Sequence, residues 1–410
     1  MRIAERLFIL ALMGLFSCCT NGSFFQDASE QKMLTIKKNG KYGFITEAGK
    51  IIIPPIYADA KDFYDNRAAV KVNGEWGFID NSGDAVTNFE YVYLNSFQDG
   101  VAAVCKDYNE GYKLIGINGK AITGYDFHRI LHFREGMACV INREKLFGFV
   151  DKTGKLVIPY QFDFNAIAGT GMYEEIPPYG FSDGLCFFVK DGKYGFIDKT
   201  GKIVIQPKYK FASYFKDGYA LVITDSGQGL IDKSGKYLME PRKQQYFLGR
   251  DEDRFFFSEE IEGSYEVIDQ NGKIIIPFQS AYSIDFVSIG LFRISAKNSN
   301  ENDEYNYGYV DNSGKIIVEP KFARLLEFHD GLAVASLRSE KYKRKSSGYK
   351  MGYIDKTGKF AIEPKFDYAD SFQDGIAKVF IGDEHWENIE AQGRMGYINT
   401  KGEYIYEPTK

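Results

Sequence analysis

Hydrophobic positions along this chain fall into short runs separated by glycine-containing turns, and three kinds of run recur in a fixed order. The first, as in Gly218-Tyr-Ala-Leu-Val-Ile223 or Gly331-Leu-Ala-Val-Ala335, is apolar and follows an Asp-Gly pair; it predicts a strand, termed A. A turn such as Lys190-Asp-Gly-Lys193 comes next, and Asp-Gly between apolar runs signals a hairpin because both central residues take positive φ. The second run, Tyr194-Gly-Phe-Ile-Asp198, alternates rings with Gly and Ile, so its two faces differ and the glycine admits a close neighbour. This is strand B. The turn Asp198-Lys-Thr-Gly-Lys202 then uses aspartate to bond its own backbone and glycine for positive φ. Strand C, Ile203-Val-Ile-Gln-Pro207, is β-branched and stops at a proline that cannot donate to a ladder. A connector of the type Tyr209 to Gly218 leads to the next strand A.

The strand B signature returns at Tyr42-Gly-Phe-Ile45, Trp76-Gly-Phe-Ile-Asp80, Phe147-Gly-Phe-Val-Asp151, Gly229-Leu-Ile-Asp232, Tyr265-Glu-Val-Ile-Asp269, Tyr307-Gly-Tyr-Val-Asp311, Met351-Gly-Tyr-Ile-Asp355 and Met395-Gly-Tyr-Ile398. An eroded copy is read at Leu114-Ile-Gly-Ile-Asn118. Gly43 to Gly77 is a step of 34 residues, and later steps reach 44. Such a period marks stacked supersecondary units. The expected fold is therefore all-β: a tandem array, over residues 33–410, of about ten three-stranded antiparallel meanders, propeller-like in their units. Leu34-Thr-Ile-Lys37 reads as its opening strand A and Tyr404-Ile-Tyr406 as its last strand C, so no unit is split between the termini. An open or superhelical stack, a pair of smaller rings and one closed ring all stay open. Each unit alone would expose an apolar face, so stability is expected to approach a sum of unit and nearest-neighbour contributions.

The pattern Tyr/Trp-Gly-Phe-Ile-Asp-x-x-Gly-Lys-Ile-x-Ile-x-Pro-x-Tyr/Phe resembles the WG repeat family of bacterial proteins, also called KWG repeats. The resemblance runs from about Leu34 to Pro408, is most specific over Gly195 to Tyr209, Gly308 to Phe322 and Gly352 to Phe366, and is weakest at Gly116 and Gly229. It implies a β-repeat module of exported or multidomain bacterial proteins, and it supplies no catalytic residues.

Composition agrees with a folded array: 44% hydrophobic and 16% aromatic, with 34 Phe and 29 Tyr. A net charge of −5 offers no attraction towards phosphate backbones, so nucleic acid is not an expected partner. The N-terminus changes the picture more. Arg2 and Arg6 flank a short charged region, and Leu7 to Phe16 is apolar but too short to span a bilayer, as in an export signal. Leu15-Phe16-Ser17-Cys18 resembles the lipobox of bacterial lipoproteins, with Phe16 less usual at its place and Cys19 a poorer second candidate. This reading makes residues 1–17 a signal peptide, Cys18 the lipidated N-terminus and 18–32 a short tether. The alternative is an ordinary secretory signal cut near Ser23. Acyl chains on Cys18 would hold the protein at an envelope membrane, periplasmic or surface-facing, without a spanning helix.

Cys105, Cys139 and Cys186 remain in the mature chain, an odd number that excludes a complete disulfide framework but leaves room for one bridge. Their apolar strands point to core filling. The repeated turn aspartates, Asp80, Asp151, Asp198, Asp232, Asp269, Asp311 and Asp355, read as turn caps rather than calcium ligands, because no loop carries the later ligands and closing Glu. His128 and His132 lie in a connector without a neighbouring Glu in the zincin pattern, and read as structural. Neither a phosphate loop nor a nucleophile elbow appears, and no cofactor is expected. The chain is therefore read as non-catalytic.

Insertions gather on the binding face of repeat arrays and are where function could sit; the alternative is neutral drift in surface loops, which tolerate insertion cheaply. Three fall in the turn between strands A and B: Lys297 to Asn306, acidic through Glu301, Asp303 and Glu304; Ser339 to Lys350, basic through Lys341, Lys343, Arg344 and Lys345; and Gly382 to Arg394, carrying His385 and Trp386. Equal placement in successive units should bring them out on one side. A fourth, Ala166 to Gly180, follows a strand C and should project elsewhere. The expected role is a protein-interaction scaffold with an unknown protein partner. The alternative is envelope carbohydrate or cell-wall binding through exposed rings. Strand B rings buried between units favour the first, and a row of solvent-facing rings favours the second.

Overall fold

A computed structural model describes residues 32–408 apart from 124–126, 164–179, 244, 252–253, 262–263, 270–272, 280–282, 289, 298–304, 312, 340, 342, 344–347 and 383–393. Cys18 and the signal region lie outside the described residues. All regular structure among the described residues is antiparallel strand, without an α-helix. They fall into two compact units, one within Gln31–Lys243 and the other within Gln244–Lys410. The first contains six successive sheets; the second contains four repeats, two of which share a seven-stranded sheet through the long strand Ile316–His329.

The sheet around Tyr219–Thr224 (strand A), Gly227–Asp232 (B) and Tyr237–Arg242 (C) illustrates the plan. It differs from the three-stranded expectation in one respect. The connector contributes a short lead strand, Phe211–Ala212, that pairs Phe211 with Ile223 and Ala212 with Val222. Seven further repeats have the same short lead or a longer equivalent, as at Asp59–Ala60, Arg129–Arg134 and Tyr368–Ala369. The lead strand was hidden because two paired residues leave no periodicity to read. Its turn into strand A is legible: Asp217 and Gly218 take φ of 54° and 85°, as do Asp183 and Gly184 at 52° and 81°, matching the hairpin chemistry of Asp-Gly.

The core lies between sheets. Ala102 and Val104 of one strand A join Phe78 of the preceding repeat, while Val101 and Ala103 join Ala138, Val140 and Val150 of the following one. Strand A is thus covered on both faces and reads as a continuous apolar run, with alanine letting the neighbours approach. Strand B supplies the rings of these joints. Phe196, wholly buried, meets Phe215 of the next lead segment at 4.8 Å, and the same pair recurs as Phe44–Phe63, Phe78–Phe97, Tyr309–Phe328 and Tyr353–Phe372. Where tyrosine replaces phenylalanine the buried hydroxyl is satisfied: Tyr309 donates to the Leu326 carbonyl and Tyr353 to that of Asp370, each at 2.7 Å.

Register explains the glycine of the signature. Tyr194 pairs with Tyr209 but Phe196 with Ile205, so strand C carries two extra residues opposite Gly195. A Cβ at Gly195 would stand 2.7 Å from the Ile205 carbonyl oxygen and 2.7 Å from the Pro207 nitrogen. The same arrangement of glycine against a proline-bearing bulge is repeated at Gly43, Gly148, Gly308 and Gly352. In the repeat of Tyr265 the bulge is shorter by one residue, Tyr265 pairing with Gln279 and Val267 with Ile276, and Glu266 replaces the glycine.

The eroded copy corrects the register read from sequence. Val101 pairs with Gly116 and Val104 with Lys113, whereas in the regular repeat Leu185 pairs with Asp198 and Phe188 with Gly195. The signature is therefore Tyr112-Lys-Leu-Ile-Gly116, with Lys113 in the glycine position and Gly116 in that of the turn aspartate. Strand C is reduced here to the bridges Tyr112↔Phe127 and Ile115↔Ala121. The Thr123 hydroxyl receives the Leu114 amide at 3.4 Å, as the Thr87 hydroxyl receives that of Phe78 at 3.0 Å one repeat earlier.

Candidate functional site

The turns are satisfied locally. The Oδ1 of Asp198 accepts from the Thr200 amide at 2.9 Å, its hydroxyl at 2.6 Å and the Lys202 amide at 3.1 Å. Asp151, Asp232, Asp311 and Asp355 repeat this geometry. The hydroxyl bond from residue 200, reinforced by the two amides, holds the Asp198 carboxyl below its ordinary value, and Asp232, Asp311 and Asp355 shift down for the same reason. These carboxylates act as turn caps, as expected.

The lead-to-A turns do more than reverse the chain. Asp183, at positive φ, accepts the Gly218 amide of the next repeat at 2.7 Å through Oδ2. The same link joins Asp65 to Gly100 (2.7 Å), Asp99 to Gly136 (3.2 Å), Glu135 to Gly184 (3.0 Å) and Asp330 to Gly375 (2.8 Å). Lysines flank it: Lys152 stands 3.3 Å from Asp99 and Lys199 3.1 Å from Glu135. A row of acidic residues, which composition alone could present as a cation site, is a chain of inter-repeat hydrogen bonds.

The histidines and cysteines follow their structural readings with one correction. His132 belongs to the lead strand Arg129–Arg134, not to an irregular connector, because it occupies a bulge between Ile130 and Phe133. Burial, with Lys61 and Arg134 nearby, lowers its pKa even though its side chain reaches the surface. Cys105, Cys139 and Cys186 are buried and not joined by disulfides. Cys139 and Cys186 face each other in one inter-sheet cluster, where burial pushes both thiols upward and away from the reactive thiolate.

The rings bear on the two binding readings. Phe44, Phe78, Phe149, Phe196, Tyr309 and Tyr353 are wholly buried. The opening rings Tyr42, Trp76, Tyr112, Phe147, Tyr194 and Tyr307 are half-buried or buried, with a cation over several: Lys37 at 5.1 Å from Tyr42, Lys71 at 5.4 Å from Trp76, Arg293 at 4.9 Å from Tyr307. Among the described residues the exposed rings are Tyr64 and Tyr108, which do not form a row.

Of the loop residues singled out by sequence, Glu301, Asp303, Glu304, Arg344, Lys345, His385 and Trp386 lie outside the described residues. Lys341 and Lys343 are exposed; Lys341 stands 3.8 Å from Glu363, and Lys343 bridges Tyr349 through the backbone. The loop roots are described, and they meet. Arg338, before the second insertion, donates through Nη2 to the Tyr305 carbonyl at 2.8 Å and through Nε to Asn306 Oδ1 at 3.1 Å, both at the end of the first. Asp367, 1% exposed, pairs with Lys350 at the end of the second insertion and accepts the Gly382 amide, at the start of the third, at 2.8 Å. Sequence reasoning found the loops and missed Arg338 and Asp367, which carry no motif and lie outside the insertions.

These features define a tandem β-repeat protein whose sheets are joined ring to ring. The family model described as WG containing repeat matches residues 42–76, 76–109, 147–164, 194–226, 307–342 and 351–384, so the chain is a β-repeat protein carrying WG repeats. No curated protein matches it. Among solved structures it is similar to the computationally designed Ika8 protein, with 12% identity, 92% of this chain and 98% of that chain covered and a TM-score of 0.31. It is also similar to BamB from Moraxella catarrhalis, with 11% identity, coverages of 68% and 93% and a TM-score of 0.30.

Proposed function

We propose that this WG-repeat protein is a non-catalytic interaction scaffold, held at the bacterial cell envelope by lipid on Cys18 and binding a protein partner through the loops between strands A and B of its second unit. The observation that carries the reading is the pairwise joining of the three insertion roots, the first to the second through Arg338 and the second to the third through Asp367. Burial of the strand B rings supports the same reading over glycan stacking, because rings committed to inter-sheet joints are not available to sugars. Anchoring rests on the lipobox resemblance: no helix among the described residues is long and apolar enough to cross a membrane.

Two measurements test it. Detergent phase separation of the full chain should place the protein in the detergent phase and the Cys18→Ala variant in the aqueous one. Sedimentation with purified insoluble cell wall should leave the anchor-free protein in the supernatant, whereas cross-linking in intact envelopes should yield a protein adduct at the second-unit loops. Retention by wall with no adduct would transfer the function to carbohydrate binding.

A further inference from the structure

The three insertions differ in length and charge, yet their roots share two side chains. Asp367 follows Phe366, the strand C residue paired with Met351. Its equivalent in an ordinary repeat is Lys210, which follows Tyr209, the partner of Tyr194. Lys210 pairs with Asp225 of a short A–B turn, with side chains 50% and 85% exposed. In the insertion-bearing repeat the charge is reversed and the group is buried: Asp367 is 1% exposed and Lys350 29%. A buried carboxylate is costly unless its oxygens are engaged, and here one oxygen takes an ammonium from the second loop while the other takes an amide from the third. Losing either partner therefore penalises the other through the same group. Arg338 does the corresponding work one repeat earlier with two donors, one to backbone and one to Asn306.

We infer that Arg338 and Asp367 are positioning residues that yoke the roots of the three insertions into one mechanically coupled surface, with the Asp367 carboxylate as the shared root of the second and third. This rests on the scaffold reading for its purpose but not for its test, which needs no partner. Coupling between neighbouring hydrogen-bonded groups is read by a double-mutant cycle.

The chain has two tryptophans, Trp76 and Trp386. Phe147 occupies the Trp76 position in another repeat, so Trp76→Phe leaves Trp386 as the sole fluorescent reporter of the third loop. In that background, fluorescence anisotropy of Trp386 and the rate of tryptic cleavage within the second loop are measured for Lys350→Met, Asp367→Asn and the pair. Expected is lower Trp386 anisotropy in Lys350→Met, although the substitution lies in the other loop, and second-loop cleavage faster by about fivefold or more in both single variants, since cleavage follows the open population. The double variant should add little, and Lys350→Arg should restore the parent values. If Lys350→Met leaves Trp386 unmoved while Asp367→Asn alters it, the loops are anchored independently and the inference falls. It also falls if neither variant changes either readout. Should Asp367→Asn fail to fold, Lys350→Met with its Lys350→Arg rescue decides alone. Failure of cell-envelope cross-linking with this coupling intact would remove the scaffold reading and leave the yoke standing.

Discussion

The repeat at Lys193–Asp198 and the eroded one at Lys113–Gly116 share a buried inter-sheet joint but not a third strand. In the first, a proline-bearing bulge presses the strand C backbone against Gly195. In the second, strand C is reduced to two isolated bridges, Thr123 supplies an acceptor, and Lys113 occupies the glycine position with its side chain exposed. Both retain their joints to neighbouring sheets: Leu114 is wholly buried, as Phe196 is. The difference teaches that the inter-sheet joint is kept where a full strand C and the signature glycine are lost.

The comparison breaks most severely at the joint. Phe196→Ala should cost about 3–5 kcal/mol in denaturant unfolding, as for other buried Phe→Ala changes, and Phe78→Ala in a repeat without a full strand C should cost as much. A much cheaper Phe78→Ala would mean that strand C, and not the joint, carries the stability. Next comes the glycine. Gly195→Ala places a Cβ against rigid backbone and should cost about 1–3 kcal/mol, while Lys113→Ala should stay within about 0.5 kcal/mol. Equal effects would separate the glycine from the bulge.

Two turns of identical backbone sharpen the point further. Asp183 and Asp191 both precede a glycine at positive φ, but the inter-repeat bond belongs to Asp183. Asp183→Gly should destabilise by about 1 kcal/mol, and Asp191→Gly should be near neutral, since glycine suits either turn. The smallest effect is the pH dependence of the caps. The folded-state pKa of Asp198 is depressed by the Thr200 hydroxyl, so its contribution is present above the ordinary carboxylate value of 3.8. It is lost as pH falls through the lower folded-state value. Thr200→Val should therefore weaken the protein slightly at neutral pH and leave it unchanged in strong acid. Melting curves across that range check the sign.

Much of this was legible from residues alone. Strands A, B and C, their hairpin turns and the capping role of Asp198 followed from local chemistry, because turn conformation and strand preference are encoded within four to six residues. The lead strand was not, since Phe211–Ala212 gains its character only by pairing with Val222 and Ile223. Aligning the eroded copy on Gly116 failed for a related reason: glycine in a turn and glycine in a strand look alike in sequence, and only pairing to Val101 and Val104 separates them. For the candidate site, the sequence showed where the insertions fall, while the residues that join their roots, Arg338 and Asp367, stayed invisible.

By itself, the amino-acid order determined an all-β repeat, its turn types, the burial of its rings and cysteines, and where insertions interrupt it. These are properties of near neighbours and of apolar surface that water expels. Register, the 35-residue reach from Asp183 to Gly218, and the meeting of Lys350 and Gly382 on one carboxylate were decided only by the stacked sheets, because each needs groups far apart in the chain to arrive at hydrogen-bonding distance.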